Sequence, residues 1–173
     1  MTSLTLQVMC VLLFTGLACF WDVRTRKLPN WMTVPAFALG LLFHGVTGGW
    51  EGLQFALAGF GVGFGLLFAL MLTGGGGGGD VKFMAALGTW LGWKLVLLVF
   101  IGSAVVAVLG IICMFTWSLV TRASQEPTEE EIEIGTPREQ ADAARMRIPY
   151  ALPATVSAWV VLGLVYTAKW MEL

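Results

Sequence analysis

The sequence predicts an all-α protein, a polytopic membrane helical bundle of about six transmembrane helices with a glycine-broken segment before Asp80. Three observations carry this reading. Of the 173 residues, 57% are hydrophobic and only 12% charged, with a mean hydropathy of +0.81. A soluble domain carries roughly a quarter charged residues. The apolar residues also fall into runs close to the roughly 20 needed to cross a hydrocarbon layer. Finally, Trp21, Trp31, Trp50, Trp90, Trp93, Trp117 and Trp170 stand near the ends of those runs, where interfacial anchors belong.

The first run, Leu4–Trp21, has no basic region ahead of it and carries its positive charges behind it. That is unlike a cleavable signal, and the run is expected to stay as an anchor with its N-terminus outside. Trp31–Trp50 and Leu53–Thr73 follow as full-length spans. Val81–Trp93 is short for a span and is expected to be a tilted or partly buried helix continuing from the glycine stretch. Leu95–Thr121 and Ile148–Trp170 complete the set. Gly59, Gly61, Gly63 and Gly65 in the third segment, with Gly88 and Gly92 in the fourth, predict close helix packing through small residues. Residues 122–147 are polar, contain Pro127 and Pro137 and include Glu129, Glu130 and Glu131. They are expected to form a solvated cytoplasmic loop within a single membrane-embedded domain spanning residues 1–173.

Six spans place the loops after the first, third and fifth helices on one side. Those loops hold Arg24, Arg26, Lys27, Lys82, Arg122, Arg138, Arg145 and Arg147, against Lys94 and Lys169 on the other side. The positive-inside rule makes the charge-rich side cytoplasmic.

Composition also removes whole classes of chemistry. A net charge of −1 argues against a nucleic-acid partner, which would require a basic patch or stripe. The lone histidine, His44, excludes a two-histidine zinc motif, and no serine sits in a nucleophile elbow. His44 itself is expected to be a hydrogen-bonded packing residue. Cys10, Cys19 and Cys113 show no CxxC spacing and are expected to be small packing residues. Neither a metal nor a cofactor is expected.

What remains is carboxylate chemistry. Before residue 122 the acidic residues are Asp22, Glu51 and Asp80. Asp22 ends a segment travelling inward, and Asp80 follows six glycines, Gly74 to Gly79, after another inward segment. Both therefore reach the cytoplasmic face, while Glu51 lands on the opposite one. A glycine run makes a poor helix, and unwound backbone at membrane depth must be buried in protein or line a wet cavity.

Structural roles are open to these residues as well. Asp22 can pair with Arg24 or Arg26, Asp80 can N-cap a helix beginning at Val81, Asn30 can cap the second helix behind Pro29, and Lys82 can snorkel. Two carboxylates in a partly desolvated site share a proton, however, because both cannot readily ionise. The ionised one draws a proton from water while the protonated one polarises a peptide carbonyl. An alternative is a non-enzymatic small transporter or channel component that uses Asp22 and Asp80 in a cation path.

Gly77-Gly78-Gly79-Asp80 is a GxGD motif, followed by Val81-Lys82. Upstream, Asp22-Val23-Arg24-Thr25-Arg26-Lys27-Leu28-Pro29-Asn30 pairs an aspartate with basic residues and then Leu-Pro-Asn. In this order and sidedness the two motifs resemble the type IV prepilin peptidases, a family of membrane aspartic proteases, and the short length resembles the compact Tad/Flp-pilus branch. The resemblance implies that Asp22 and Asp80 are the catalytic pair. It implies that Gly77 and Gly79 let backbone or substrate approach Asp80, and it makes Lys82 and Asn30 weaker site candidates. The substrate would be a prepilin or pseudopilin, cut at the cytoplasmic face of the bacterial inner membrane just before its hydrophobic N-terminal helix. The lipid bilayer would be the other partner, and oligomeric state is left open. The larger family members carry an insert with paired CxxC motifs and methylate the new N-terminus. This chain has no such pattern, so methyl transfer is not expected.

Overall fold

The computed structural model describes residues 2–25, 27–74, 77–123 and 151–171. They form four helices: α1 (Thr2–Thr25), α2 (Asn30–Leu72), α3 (Gly78–Ala123) and α4 (Ala151–Met171). The polar segment expected at 122–147 lies outside the described residues, apart from Arg122 and Ala123, which belong to the end of α3.

Two of the helices are too long to be straight membrane spans. At 1.5 Å per residue, the 43 residues of α2 would run about 65 Å, twice the hydrocarbon thickness. The chain resolves this at glycine. Gly49 adopts φ 57° and ψ −137° inside α2, and Gly92 adopts φ 73° and ψ 174° inside α3, a backbone region that L side chains avoid. The two halves of α2 fold back on each other: the rings of Phe37 and Phe60, nearly equidistant from Gly49, lie 4.9 Å apart. At Gly92 there is also no room for a side chain, because an added Cβ would run into the Phe55 ring.

The helical bundle expected from the sequence is present as four helices, two of them interrupted at Gly49 and Gly92. α1, α2 and α3 each contain a stretch long and apolar enough to cross a membrane, and Leu152–Val165 is a shorter apolar helix. Large apolar side chains such as Leu13, Phe20, Leu42, Val46, Ile101 and Leu109 face outward and exposed. A surface of this kind is stable against lipid rather than water.

The interior is built around the first half of α3. Phe83, Met84, Leu87 and Leu91 are fully buried, with Val11, Leu67 and Val96 around them. Phe14 of α1 stacks on Phe83 at 5.3 Å. The second half of α2 packs backbone to backbone on α3: a Cβ at Gly59 would run into the Gly88 carbonyl, and one at Gly63 into that of Met84. The close packing expected of the glycines is present at Gly59, Gly63, Gly88 and Gly92, whereas Gly61 and Gly65 have nothing within 4 Å because they lie on the other face of the helix. Helix α4 closes the bundle through polar ties. Thr155 Oγ1 donates to the Thr15 carbonyl at 3.2 Å, Trp159 Nε1 to Thr15 Oγ1 at 3.0 Å, and Ser157 Oγ to the Val99 carbonyl at 3.0 Å.

The break at Gly92 has a cost, since a disrupted helix exposes backbone acceptors that lipid cannot satisfy. The Trp90 carbonyl is met by Gln7 Nε2 of α1 and by His44 Nε2 of α2, the latter at 3.2 Å. Trp90 Nε1 donates in turn to the Ala36 carbonyl at 2.8 Å. His44 thus packs as expected, and the structure supplies its partner. Cys10 and Cys19 are half-buried, but Cys113 is exposed, so it faces outward from the bundle instead of packing within it.

Candidate active site

The site lies at the end of the bundle opposite the Gly49 turn, where α1 runs into α2 and α2 into α3. Asp22 sits one turn inside the end of α1, further in than an end position, and is 6% exposed. The connection after it is tightly held. Thr25 Oγ1 donates to the Trp21 carbonyl at 2.9 Å and to the Lys27 carbonyl at 3.0 Å. Leu28 is buried, and Trp21 meets Trp31 edge to face at 5.5 Å. Pro29, with φ −75° and ψ 145°, is the N-cap of α2. Its fixed φ stops the incoming chain from continuing a helix.

The second strap begins where α2 ends. Gly74 takes φ 85°, and its N–H reaches the Met71 carbonyl at 3.0 Å, a left-handed helix stop that glycine makes at little cost. Helix α3 then starts at Gly78, inside the glycine run and earlier than Val81. Asp80 consequently lies in the first turn of α3 and is not its N-cap. It reaches back instead: the Gly77 N–H donates to Asp80 Oδ2 at 3.1 Å. A Cβ at Gly77 would stand 3.2 Å from that same oxygen, so this glycine lets backbone close on the carboxylate. Gly79 plays a different part, facing Leu28 at ordinary contact distance.

These two straps wall a single cavity of about 410 Å³, lined by Asp22, Lys27, Leu28, Gly77, Gly78, Gly79, Asp80 and Lys82. Asp22 is near enough to act electrostatically on half-buried Asp80. The two aspartates 58 positions apart in sequence are thereby brought together, while exposed Glu51 sits by the Gly49 turn at the far end. Asn30 does not cap α2, which has no side-chain cap. Its Oδ1 accepts from Lys82 Nζ at 2.9 Å, tying the start of α2 to the first turn of α3 at the cavity rim. Lys27, Leu28 and Gly78 line the cavity without having been singled out in the sequence. Lys27 and Leu28 lie within the Asp22–Asn30 motif and Gly78 within GxGD, so the motifs themselves were the signal.

Residues 8–115 match the type IV leader peptidase family. The chain belongs to that family. Among its relatives is a prepilin leader peptidase/N-methyltransferase of Neisseria gonorrhoeae, 42% identical over 101 residues, which are 54% of this chain and 35% of the relative. One of the same description from Dickeya chrysanthemi is 35% identical over 127 residues, 69% of this chain and 43% of the relative. The leader peptidase HopD of Salmonella typhimurium is 41% identical over 99 residues, 52% of this chain and 63% of the relative. The match thus spans about a third of the Neisseria protein and under two thirds of each of the others. No solved structure matches the chain. The matched residues 8–115 include every residue of the cavity wall.

Proposed function

We propose that this chain is an aspartic endopeptidase of the bacterial inner membrane that removes the leader peptide of prepilin-like proteins at the cytoplasmic face. The observation that carries the proposal is the cavity shared by Asp22 and Asp80, in a chain of the leader peptidase family. Two neighbouring carboxylates in a partly dry site hold one negative charge more easily than two. The ionised carboxylate takes a proton from a water molecule as that water attacks the scissile carbonyl carbon. The protonated carboxylate gives its proton to the carbonyl oxygen, forming a tetrahedral diol. Collapse of the diol breaks the C–N bond. The amine leaves with the proton that the first carboxyl took from water. The other carboxylate takes back a proton from a diol hydroxyl as the carbonyl re-forms, so the pair returns to its singly protonated state.

The cytoplasmic placement follows from the charge asymmetry of the loops. Cleavage without methyl transfer is the activity expected of this chain, which lacks the paired CxxC motifs of the larger enzymes. The test is processing of a co-expressed prepilin, followed by the mobility shift of the shortened product. Asp22→Asn and Asp80→Asn are each expected to lower the cleavage rate at least about a hundredfold, the scale of general acid–base catalysis, with membrane levels unchanged. Normal processing by both variants would falsify the assignment and turn attention to a cation path through the same aspartates.

A further inference from the structure

Two cations, Lys27 and Lys82, line the same cavity as Asp22 and Asp80. A cation that closes on a carboxylate pair favours its doubly ionised form, whereas the peptidase reading above needs the pair singly protonated. We infer that Asn30 is a positioning residue for that reaction. Its side-chain oxygen tethers the Lys82 ammonium to the start of α2, away from the two aspartates, so that the pair keeps its shared proton. The inference rests on the peptidase reading.

The hydrogen bond carries it. Lys82 Nζ donates to Asn30 Oδ1 at 2.9 Å, across 52 positions of sequence. Lys82 lines both the aspartate cavity and a neighbouring one, while Asn30 belongs to the wall of the neighbouring one and not of the first. The tether therefore draws the ammonium toward the side of Lys82 that faces away from the carboxylates.

Both ends of the tether are fixed at the backbone, which leaves the lysine stem as the moving part. Asn30 is the first residue of α2, directly behind Pro29, whose carbonyl accepts from the N–H groups of Met32 at 3.2 Å and Thr33 at 3.4 Å. Met32 and Thr33 are buried, and so are Val81 and Phe83 on either side of Lys82. Four flexible carbons let the ammonium settle wherever an acceptor holds it. The helix makes no use of the Asn30 side chain, since α2 has no side-chain cap. An amide oxygen holds the cation without adding a charge of its own. The charged groups that face the cavity are Asp22 from α1, Lys27 from the connection, and Asp80 and Lys82 from α3. Lys27 is common to every variant below, so its contribution cancels in the comparison.

The experiment follows kcat/KM against pH for the full chain in lipid nanodiscs, with one synthetic peptide spanning a prepilin leader junction. Asn30→Ala places a good helix former at an exposed helix start and releases the ammonium toward the aspartates. Pairing lowers the pH at which the carboxylates give up their last proton, and that proton is required. The alkaline limb of the profile is therefore expected to move down by about one pH unit or more, with Tm unchanged. Adding Lys82→Met to Asn30→Ala should return the limb to the parent position or above it. Asn30→Asp, which keeps an acceptor for the ammonium, should also hold it there.

An unmoved limb in Asn30→Ala would overturn the inference. So would a shift that survives in the double variant, where no ammonium remains to cause it. If Asn30→Ala cuts too slowly to profile, restored cutting in the double variant supports the tether, and a double variant equally slow overturns it. Failure of the parent chain to cut the peptide would overturn the peptidase reading itself, a distinct outcome.

Discussion

At the scale of single residues, the glycines ahead of Asp80 are not equivalent. An alanine at Gly77 would press its Cβ to 3.2 Å from Asp80 Oδ2, whereas one at Gly79 would only touch Leu28 at 3.5 Å. Displacing a catalytic group by about 1 Å can cost a hundredfold in rate. Gly77→Ala is therefore expected to lower cleavage at least about tenfold without loss of protein, and Gly79→Ala to stay within about twofold, both read from initial rates on one prepilin. Equal effects of the two would refute this division of roles. That Asp22 and Asp80 share one end of the bundle was legible in the sequence, because early acids are scarce and Glu51 falls beside the opposite turn. The Asn30–Lys82 bond was not. Each residue has a plausible local role, as a cap or a snorkelling anchor, and nothing local reveals a partner 52 positions away.

At the scale of elements, the sequence outlined six apolar stretches, and the described residues carry them in four helices, two of them broken at glycine. Span length and charge patterning dictate those stretches, so they are visible without tertiary information. The helix breaks are less visible, because Gly49 and Gly92 are two among 22 glycines. What separates them is a positive φ imposed by the fold. Glycines along the second half of α2 divide in the same way. Gly59 meets the Gly88 carbonyl, while Gly61 has nothing within 4 Å. Overpacking a fitted contact costs about 1–3 kcal/mol, or a fall in Tm of roughly 2–10 °C for a protein of this size. Gly59→Ala is expected to show such a loss when unfolding is followed in detergent, and Gly61→Ala to unfold with the parent protein. Equal Tm values for the two would remove the α2–α3 contact as a source of stability.

At the scale of the whole molecule, the fold-back of α2 puts its Gly49 turn and its two ends at opposite extremes of the bundle. With the native cysteines replaced, Thr25→Cys is expected to react with an impermeant maleimide only from the cytoplasmic side and Gly48→Cys only from the other. Labelling of each from the opposite side would invert the proposed orientation, and labelling of both from the same side would mean that the stretch between them does not cross the membrane. A mechanical consequence follows from the way α1 is held. Gln7 is tied to the backbone beside the α3 break, and Asp22 lies fifteen residues on, about 22 Å along the axis. Gln7 and Asp22 stand near the two ends of one rod, the first tied at the α3 break and the second in the aspartate cavity. Each degree of tilt about Gln7 carries the Asp22 end by roughly 0.4 Å at that radius. Any tilt of α1 about this tie would be read out at Asp22, at the opposite end of the helix.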